Sequence, residues 1–185
     1  MRLGGRLLST LGAFALLAPV AAAEREVVVD FESAVPLLAE QKANRVPRYE
    51  EKGTVFTLAH DPKQTKGKGL LMFFTHLSSG HKGILSAMAT EPIPVRATFP
   101  EPASSASVVF WGATGTPVVL EAFAKDGRQV DRATLPAIPA RQHPSDPVPL
   151  LTLSVHAPGI AYIEWSGQRE GEYLAADEIR FTPAR

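Results

Sequence analysis

The chain has 185 residues, with 19 basic and 19 acidic residues, 16 prolines and no cysteine. This length suits one ordinary globular domain, and a chain without cysteine has no disulfide, no thiolate metal site and no cysteine nucleophile. The formal net charge of zero argues against a nucleic-acid partner, because binding to phosphates requires a basic surface.

The first 23 residues have the three-part pattern of a secretory signal peptide. Residues 1–6 carry two arginines and no acidic residue, residues 7–20 are almost continuously apolar, and residues 21–23 are three alanines. The apolar run is shorter than the roughly 20 residues that cross a bilayer. We therefore predict that residues 1–23 are removed, and that residues 24–185 are exported to the periplasm or the extracellular medium without a membrane span.

Apolar and polar residues alternate along most of the mature chain, as is typical of half-buried β-strands. Val27, Val29 and Phe31 share one face of the first strand, and residues 33–42 are the only stretch expected to form a short helix. Asp126-Gly127 is a tight-turn signal that predicts a β-hairpin. Further strands are predicted at 54–58, 69–74, 93–99, 106–111, 118–125, 129–134, 150–155, 160–165 and 174–181.

These elements predict an all-β fold with at most one short helix. Residues 135–149 contain five prolines and are expected to form an external crossing between sheets, since proline interrupts regular structure. Nine or ten short strands imply two packed antiparallel sheets. The economical arrangement is a jelly-roll β-sandwich that fills residues 24–185 as a single domain.

The last predicted strand contains a carboxylate on its apolar side. Asp177 has the parity of Ile179 and Phe181, and burying a carboxylate is costly unless a hydrogen bond, a cation or protonation compensates it. If the two ends of the sandwich meet, Asp177 and Glu32 together with loop carbonyls suit a structural Ca²⁺ ion. The alternative is that Asp177 hydrogen-bonds a turn while Glu32 lies in solvent.

No catalytic motif is evident. The five histidines do not match a zinc-binding spacing, and neither a serine elbow nor a phosphate-binding glycine loop occurs. Carboxylates are numerous enough for a glycosidase pair, but their spacing selects none. Whether the protein is an enzyme is left open, with a carboxylate-dependent polysaccharide hydrolase or lyase as one alternative.

Aromatic residues suggest a binding surface. Trp111, Tyr162, Trp165 and Tyr173 lie in or beside predicted strands, and a sugar ring stacks well on a flat aromatic face flanked by polar groups such as Arg169. Trp111, Trp165, Tyr173 and Arg169 are therefore the candidate ligand-binding residues. Strand parity also allows each tryptophan to be a core residue, and both interpretations remain open at this point.

Several short segments occur in a recognisable order: 29–32, 46–49, 53–56, 118–130 with its Lys-Asp-Gly turn, and 176–181. In this order the chain resembles secreted bacterial jelly-roll domains of the galactose-binding-like, carbohydrate-binding-module-like type. The resemblance implies a structural calcium flanked by Glu32 and Asp177. The chain departs from the pattern in having Asp177-Glu178 where such domains often have two aspartates.

The residues and the resemblance together predict an exported, non-catalytic module that binds a glycan or another extracellular or envelope component. A second alternative, besides the hydrolase or lyase, is a structural envelope or matrix protein whose sheet faces a protein partner. An exposed aromatic platform favours glycan binding, whereas two facing carboxylates beside an exposed aromatic favour an enzyme. A broad apolar patch favours a protein interface.

Overall fold

A computed structural model describes residues 25–32, 34, 45–63, 69–75, 82–87, 91, 93–139, 146–170 and 172–184. The predicted signal peptide, and the predicted helix 33–42 apart from Ala34, lie outside the described residues. Within the described ranges, no helix is long and apolar enough to span a membrane. Eleven strands occur there: β1 (Val27–Val29), β2 (Arg45–Val46), β3 (Tyr49–Glu51), β4 (Thr54–Leu58), β5 (Leu71–Thr75), β6 (Lys82–Ser86), β7 (Val95–Ala113), β8 (Val118–Phe123), β9 (Gln129–Leu135), β10 (Leu151–Ser166) and β11 (Tyr173–Pro183).

The strands pair antiparallel, and two long strands, β7 and β10, run side by side through most of the sheet. The second half of β7, residues 103–113, pairs with β11 on its other side, whereas its first four residues, 95–98, pair there with β4. Similarly, the end of β10 pairs with β8. The hydrogen-bonded sheet therefore has two parts that share β7 and β10. We call these parts the first and the second layer. The first layer contains β1, β2, β5, β6 and β11 with the adjoining halves of β7 and β10. The second layer contains β3, β4, β8 and β9 with the other halves of β7 and β10.

The two layers pack against each other through one hydrophobic core. Tyr49 of the second layer meets Phe73 of the first with ring centroids 4.7 Å apart, and Phe110 meets Trp165 at 6.2 Å. Ring contacts between strands of different layers are what face-to-face packing of two sheets requires. The predicted all-β, antiparallel sandwich is confirmed.

Local sequence signals located several elements correctly. The predicted strand 54–58 coincides with β4, and β8 and β9 form the predicted hairpin. At its tip, Asp126 Oδ1 accepts a hydrogen bond from the Arg128 amide at 3.0 Å, and Gly127 has a φ of +84°. This conformation is open to glycine and unfavourable for most other residues, which explains why the turn signal was reliable.

Two pairs of predicted strands proved to be continuous. Predicted strands 93–99 and 106–111 belong to the single strand β7, and 150–155 and 160–165 belong to β10. The interruptions were predicted at a Pro/Ser loop after Phe99 and at Gly159, but both segments, with Pro100, Pro102 and Pro158, lie where the β7–β10 register shifts, between the pairs His156–Ser105 and Tyr162–Thr98. At such an irregularity some backbone groups are unpaired in any case, so the amide hydrogen that proline lacks removes few hydrogen bonds between the strands. The strands therefore bend there without ending. The short strands β2, β3 and β6 were missed.

Candidate functional site

The outward side of the first layer carries three aromatic rings in mutual contact. Phe74 of β5 lies 5.7 Å from Trp111 of β7 and 6.3 Å from Tyr173 of β11, measured between ring centroids. Trp111 and Tyr173 are 6.0 Å apart in an edge-on arrangement. These three residues are called the aromatic cluster below. Trp111 and Tyr173 belong to a small apolar cluster separate from the main core, and the exposed Phe74 contacts both. Since Val108 and Phe110 of β7 face the main core, Trp111 of the same strand faces outward.

The aromatic cluster can form because β6, the strand between Phe74 of β5 and β11, has a glycine beside Phe74. Gly83 of β6 pairs with Phe74, and a Cβ placed on Gly83 would lie 3.0 Å from Trp111 Nε1 and 2.8 Å from the carbonyl oxygen of Ala176. Gly83 therefore leaves the space that the Trp111 indole occupies. The indole can then extend across β6 and β11 to reach Phe74.

The aromatic cluster has a buried floor and exposed flanks. Trp111 is 0% exposed, whereas Phe74 is 38% exposed and Leu150 is 44% exposed. In the part of the chain that the structure describes, these two are the exposed large hydrophobic residues. Leu150 immediately precedes Leu151, which pairs with Phe110, the neighbour of Trp111 on β7. Phe74 contacts the tryptophan directly and is therefore its exposed flank.

A polar groove lies further along the same face. Ser107 of β7 stands directly opposite Ser154 of β10 and Arg180 of β11, so three polar side chains form a row across three strands. The groove encloses about 440 Å³, part of it open to solvent. Among the described residues, the hydroxyls of its three serines and the imidazole of its histidine have no hydrogen-bond partner. The polar lining residues are Glu26, Ser105, Ser107, Ser154, His156 and Arg180.

Charges at the groove are locally balanced. The Arg180 guanidinium donates to Glu178 Oε1 at 2.6 Å and to Glu26 Oε2 at 3.1 Å, and these two carboxylates raise the pKa of Arg180 above its ordinary value. Asp131 accepts hydrogen bonds from the backbone amides of His156 and Arg132 at 2.6 and 2.8 Å, which lower its pKa. The groove therefore combines unpaired hydroxyls with a neutralised cation, which suits a neutral, hydroxyl-rich ligand better than a strongly charged one.

The structure decides between the two interpretations of the tryptophans. Trp111 is 0% and Trp165 is 2% exposed, so neither ring presents a free face, and the candidate role of an exposed stacking platform is wrong for both. Trp165 packs against Phe110 between the layers, and Trp111 supports Phe74 from below. Tyr173 is partly exposed and remains a candidate ligand-binding residue as a member of the aromatic cluster.

Arg169 lies in the loop between β10 and β11, away from the polar groove. Glu172 shapes this loop, because its two carboxylate oxygens accept from the Gly115 amide at 2.7 Å and from the Arg169 amide at 2.9 Å. The Arg169 side chain is exposed. The role of Arg169 in binding stays a prediction.

The surroundings of Asp177 and Glu32 differ from the sequence expectation. The β11 register shifts between Ala176 and Glu178, so Asp177 is the extra residue of a β-bulge, and it is partly exposed while Ile179 and Phe181 are buried. A bulge reverses strand parity, which is why the parity argument failed. Glu32 Oε2 accepts a hydrogen bond from the Lys82 ammonium, a contact that a calcium ion would have to displace. Within the described ranges, no three His, Asp or Glu side chains cluster as metal ligands.

Phe74 was missed as a site residue, although the sequence held a signal for it. Phe73 and Phe74 are neighbours within one strand, so their side chains point to opposite faces. With Phe73 in the core, Phe74 has to point outward.

No protein-family model matches the sequence, and neither does any curated protein. Among solved structures, the fold is similar to the apo form of the BiXyn10A module CBM1, with a TM-score of 0.41 and 12% identity over 78% of this chain and 100% of that one. It is also similar to TmCBM61 in complex with β-1,4-galactotriose (TM-score 0.32, 12% identity, 77% and 89% covered). A third similar structure is the arabinose-bound MgGH51 α-L-arabinofuranosidase (TM-score 0.43, 10% identity, 78% and 26% covered). At this level the similarities carry no argument about function. The chain's own strand pairing defines it as an antiparallel β-sandwich protein.

Proposed function

We propose that the mature protein is an exported, non-catalytic module that binds a glycan on the outward face of its first layer. The observation that carries the proposal is the exposed ring of Phe74, seated on Trp111 and Tyr173 on the face that also bears the polar groove. Apolar and polar recognition elements are thus present on one surface.

The chemistry of this face matches that of a sugar chain. The C–H side of a sugar ring packs on an exposed aromatic group, and a few placed polar groups then set orientation and specificity. Trp111 and Ser107 lie four residues apart on β7, which corresponds to about 13 Å along the strand. An extended glycan can therefore contact the aromatic cluster with one sugar unit and the groove hydroxyls with others.

The contacts favour binding over hydrolysis. A glycosidase requires one carboxylic acid that donates a proton and a second carboxylate that acts as nucleophile or base. Glu26, which lines the groove, and Glu178 both bind the same Arg180 guanidinium. Both carboxylates are therefore engaged by one guanidinium, which favours a binding role for the groove over that of a glycosidase pair.

Binding to a panel of bacterial and plant polysaccharides tests the proposal directly. Phe74→Ala should lower the affinity for the retained glycan at least about tenfold, equivalent to 1.4 kcal/mol, while the far-UV circular dichroism stays unchanged. Phe123→Ala is a matched control, because Phe123 is another partly exposed aromatic residue but stacks on Tyr162 in the second layer. Ser107→Ala should weaken binding less than Phe74→Ala.

Four outcomes would overturn this assignment. Failure of every polysaccharide to bind removes the glycan proposal, and equal losses in Phe74→Ala and Phe123→Ala move the site off this face. Release of new reducing ends from the same panel would support the hydrolase alternative, and capture of an envelope protein through Phe74 would support a structural role.

Export is tested separately with the full chain. We expect the periplasmic or culture fraction of expressing bacteria to contain a protein whose mass corresponds to residues 24–185. A full-length mass confined to the cytoplasm would contradict this part of the proposal without affecting the glycan site.

A further inference from the structure

Arg180 contributes a permanent positive charge to the lining of the polar groove. It lies opposite Val28 of β1 on one side and Ser107 of β7 on the other. Its side chain is 45% exposed, so a ligand in the groove can reach the guanidinium. Arginine binds carboxylate and phosphate groups in a bidentate manner. An Arg180 without partners would therefore make the groove a site for acidic sugars.

Two carboxylates hold the Arg180 guanidinium, and both lie on the groove side of the first layer. Glu178 is two residues before Arg180 on β11, so the two side chains share a face, and its Oε1 accepts from Arg180 Nε at 2.6 Å. Glu26 directly precedes β1 and is a diagonal neighbour of Arg180, because Val28 pairs with Arg180. Its Oε2 accepts from Arg180 Nη1 at 3.1 Å.

These three groups together carry a net negative charge, since two carboxylates face one guanidinium. Both carboxylate side chains are partly exposed, so a ligand beside Arg180 also meets Glu26 and Glu178. An acidic sugar is repelled by both and has to displace one of them to reach the guanidinium, and like charges brought together at an interface are costly. A sugar hydroxyl is not repelled, because it can donate to a carboxylate and accept from the guanidinium.

We propose that Glu26 and Glu178 are specificity-determining residues, which make the polar groove accept uncharged glycans and exclude acidic ones. The proposal rests on the glycan-binding function proposed above and defines the class of glycan. Uronic acids and sulfated or phosphorylated sugars share the negative charge that is excluded. Such a repulsive element is a common source of specificity, because it weakens the wrong ligand without strengthening the right one.

Affinity gel electrophoresis with matched polymers tests the exclusion. Hydroxyethyl cellulose is compared with carboxymethyl cellulose, and galactan with polygalacturonate, at low ionic strength because salt screens exposed charges. We expect at least one uncharged polymer, and neither acidic polymer, to retard the parent protein. Glu26→Gln/Glu178→Gln should bind at least one acidic polymer at least about tenfold more tightly than the parent does, because a charge-assisted hydrogen bond to Arg180 becomes available.

Two further variants separate the role of Arg180 from a general effect of net charge. Adding Arg180→Gln to the double variant should abolish the gained binding. Glu50→Gln/Glu121→Gln is the matched control, since it removes the same charge from two carboxylates that each pair with an arginine outside the groove. This control should not gain binding to an acidic polymer. Far-UV circular dichroism should be the same for all variants, because glutamine has the shape of glutamate.

The proposal is overturned if an acidic polymer retards the parent as strongly as its uncharged counterpart, or if Glu26→Gln/Glu178→Gln gains no binding to either acidic polymer. It is also overturned if the matched control gains as much. Failure of the glycan-binding function is a different result. In that case the parent binds no uncharged polysaccharide at all, whereas the Arg180-dependent gain in the double variant still supports the exclusion of acidic groups.

Discussion

Gly83→Ala is the most informative single substitution, because it adds one methyl group at the position that allows the aromatic cluster to form. The new Cβ would lie 2.8 Å from the Ala176 carbonyl oxygen and 3.0 Å from both Ala175 Cβ and Trp111 Nε1. The Ala176 oxygen belongs to the backbone of β11, which pairs with β6 at Ala176 and Ile84, so this contact cannot be relieved by a side-chain rotation.

The expected cost follows from that geometry. Overpacking at a well-packed position typically costs about 1–3 kcal/mol, and in a protein of this size each kcal/mol lowers the melting temperature by about 2–4 °C. Gly83→Ala should therefore lower the melting temperature by about 2–12 °C. It should also change the fluorescence of Trp111 in the folded state, because the indole has to move.

Thermal and urea unfolding, followed by circular dichroism and tryptophan fluorescence, measure both effects. Gly159→Ala is a useful comparison, since a Cβ there meets nothing within 4 Å but the φ of +76° is unfavourable for alanine. This control should be destabilised without any change in Trp111 emission. A loss of less than 1 °C in Gly83→Ala with unaltered emission would refute the argument that Gly83 makes room for the indole.

Three further predictions follow from local contacts. Trp165→Phe should change the free energy of unfolding by no more than about 1 kcal/mol, because the smaller ring buries less apolar surface but also removes a buried donor that is unpaired within the described residues. A loss above about 3 kcal/mol in urea denaturation would mean that the indole N–H has a structural partner. Asp131→Asn should destabilise the protein at pH 7 by at most about 1 kcal/mol. The lowered pKa of Asp131 makes its contribution full above the ordinary value of 3.8 and lost as the pH falls through the lower folded-state pKa. The difference in stability between parent and variant should therefore shrink as the pH is lowered below 3.8 in melts across pH. Millimolar calcium should leave the melting temperature unchanged, because Lys82 already binds Glu32; a rise that Glu32→Gln abolishes would instead establish the ion site that the family resemblance implies.

The sequence predicts those features of the fold that are encoded within a few residues. Alternation defines β4, and Asp126-Gly127 defines the β8–β9 hairpin, because strand parity and turn conformation are local properties. The prolines of β7 were misinterpreted as strand breaks, since their effect depends on whether a partner strand needs their amide. That information comes from residues far away along the chain.

The candidate site was less predictable for the same reason. Asp177 was assigned to the buried face by parity, and a one-residue bulge altered that parity. Trp111 was recognised as part of an aromatic surface, but its burial depends on Gly83, which is 28 residues earlier in the chain. Phe74, the exposed residue above Trp111, follows from the Phe73-Phe74 pair only once Phe73 is known to be in the core.

The sharing of β7 and β10 between the layers has a consequence for how the molecule loses its structure. Each layer contains only part of β7 and β10, so unfolding one layer would remove backbone hydrogen bonds from the strands of the other. Unfolding should therefore be all-or-none rather than layer by layer. For the same reason, a nick or an insertion within either long strand would damage both halves at once. The exposed tip at Asp126-Gly127 is a place where the chain can be opened or extended with the least harm.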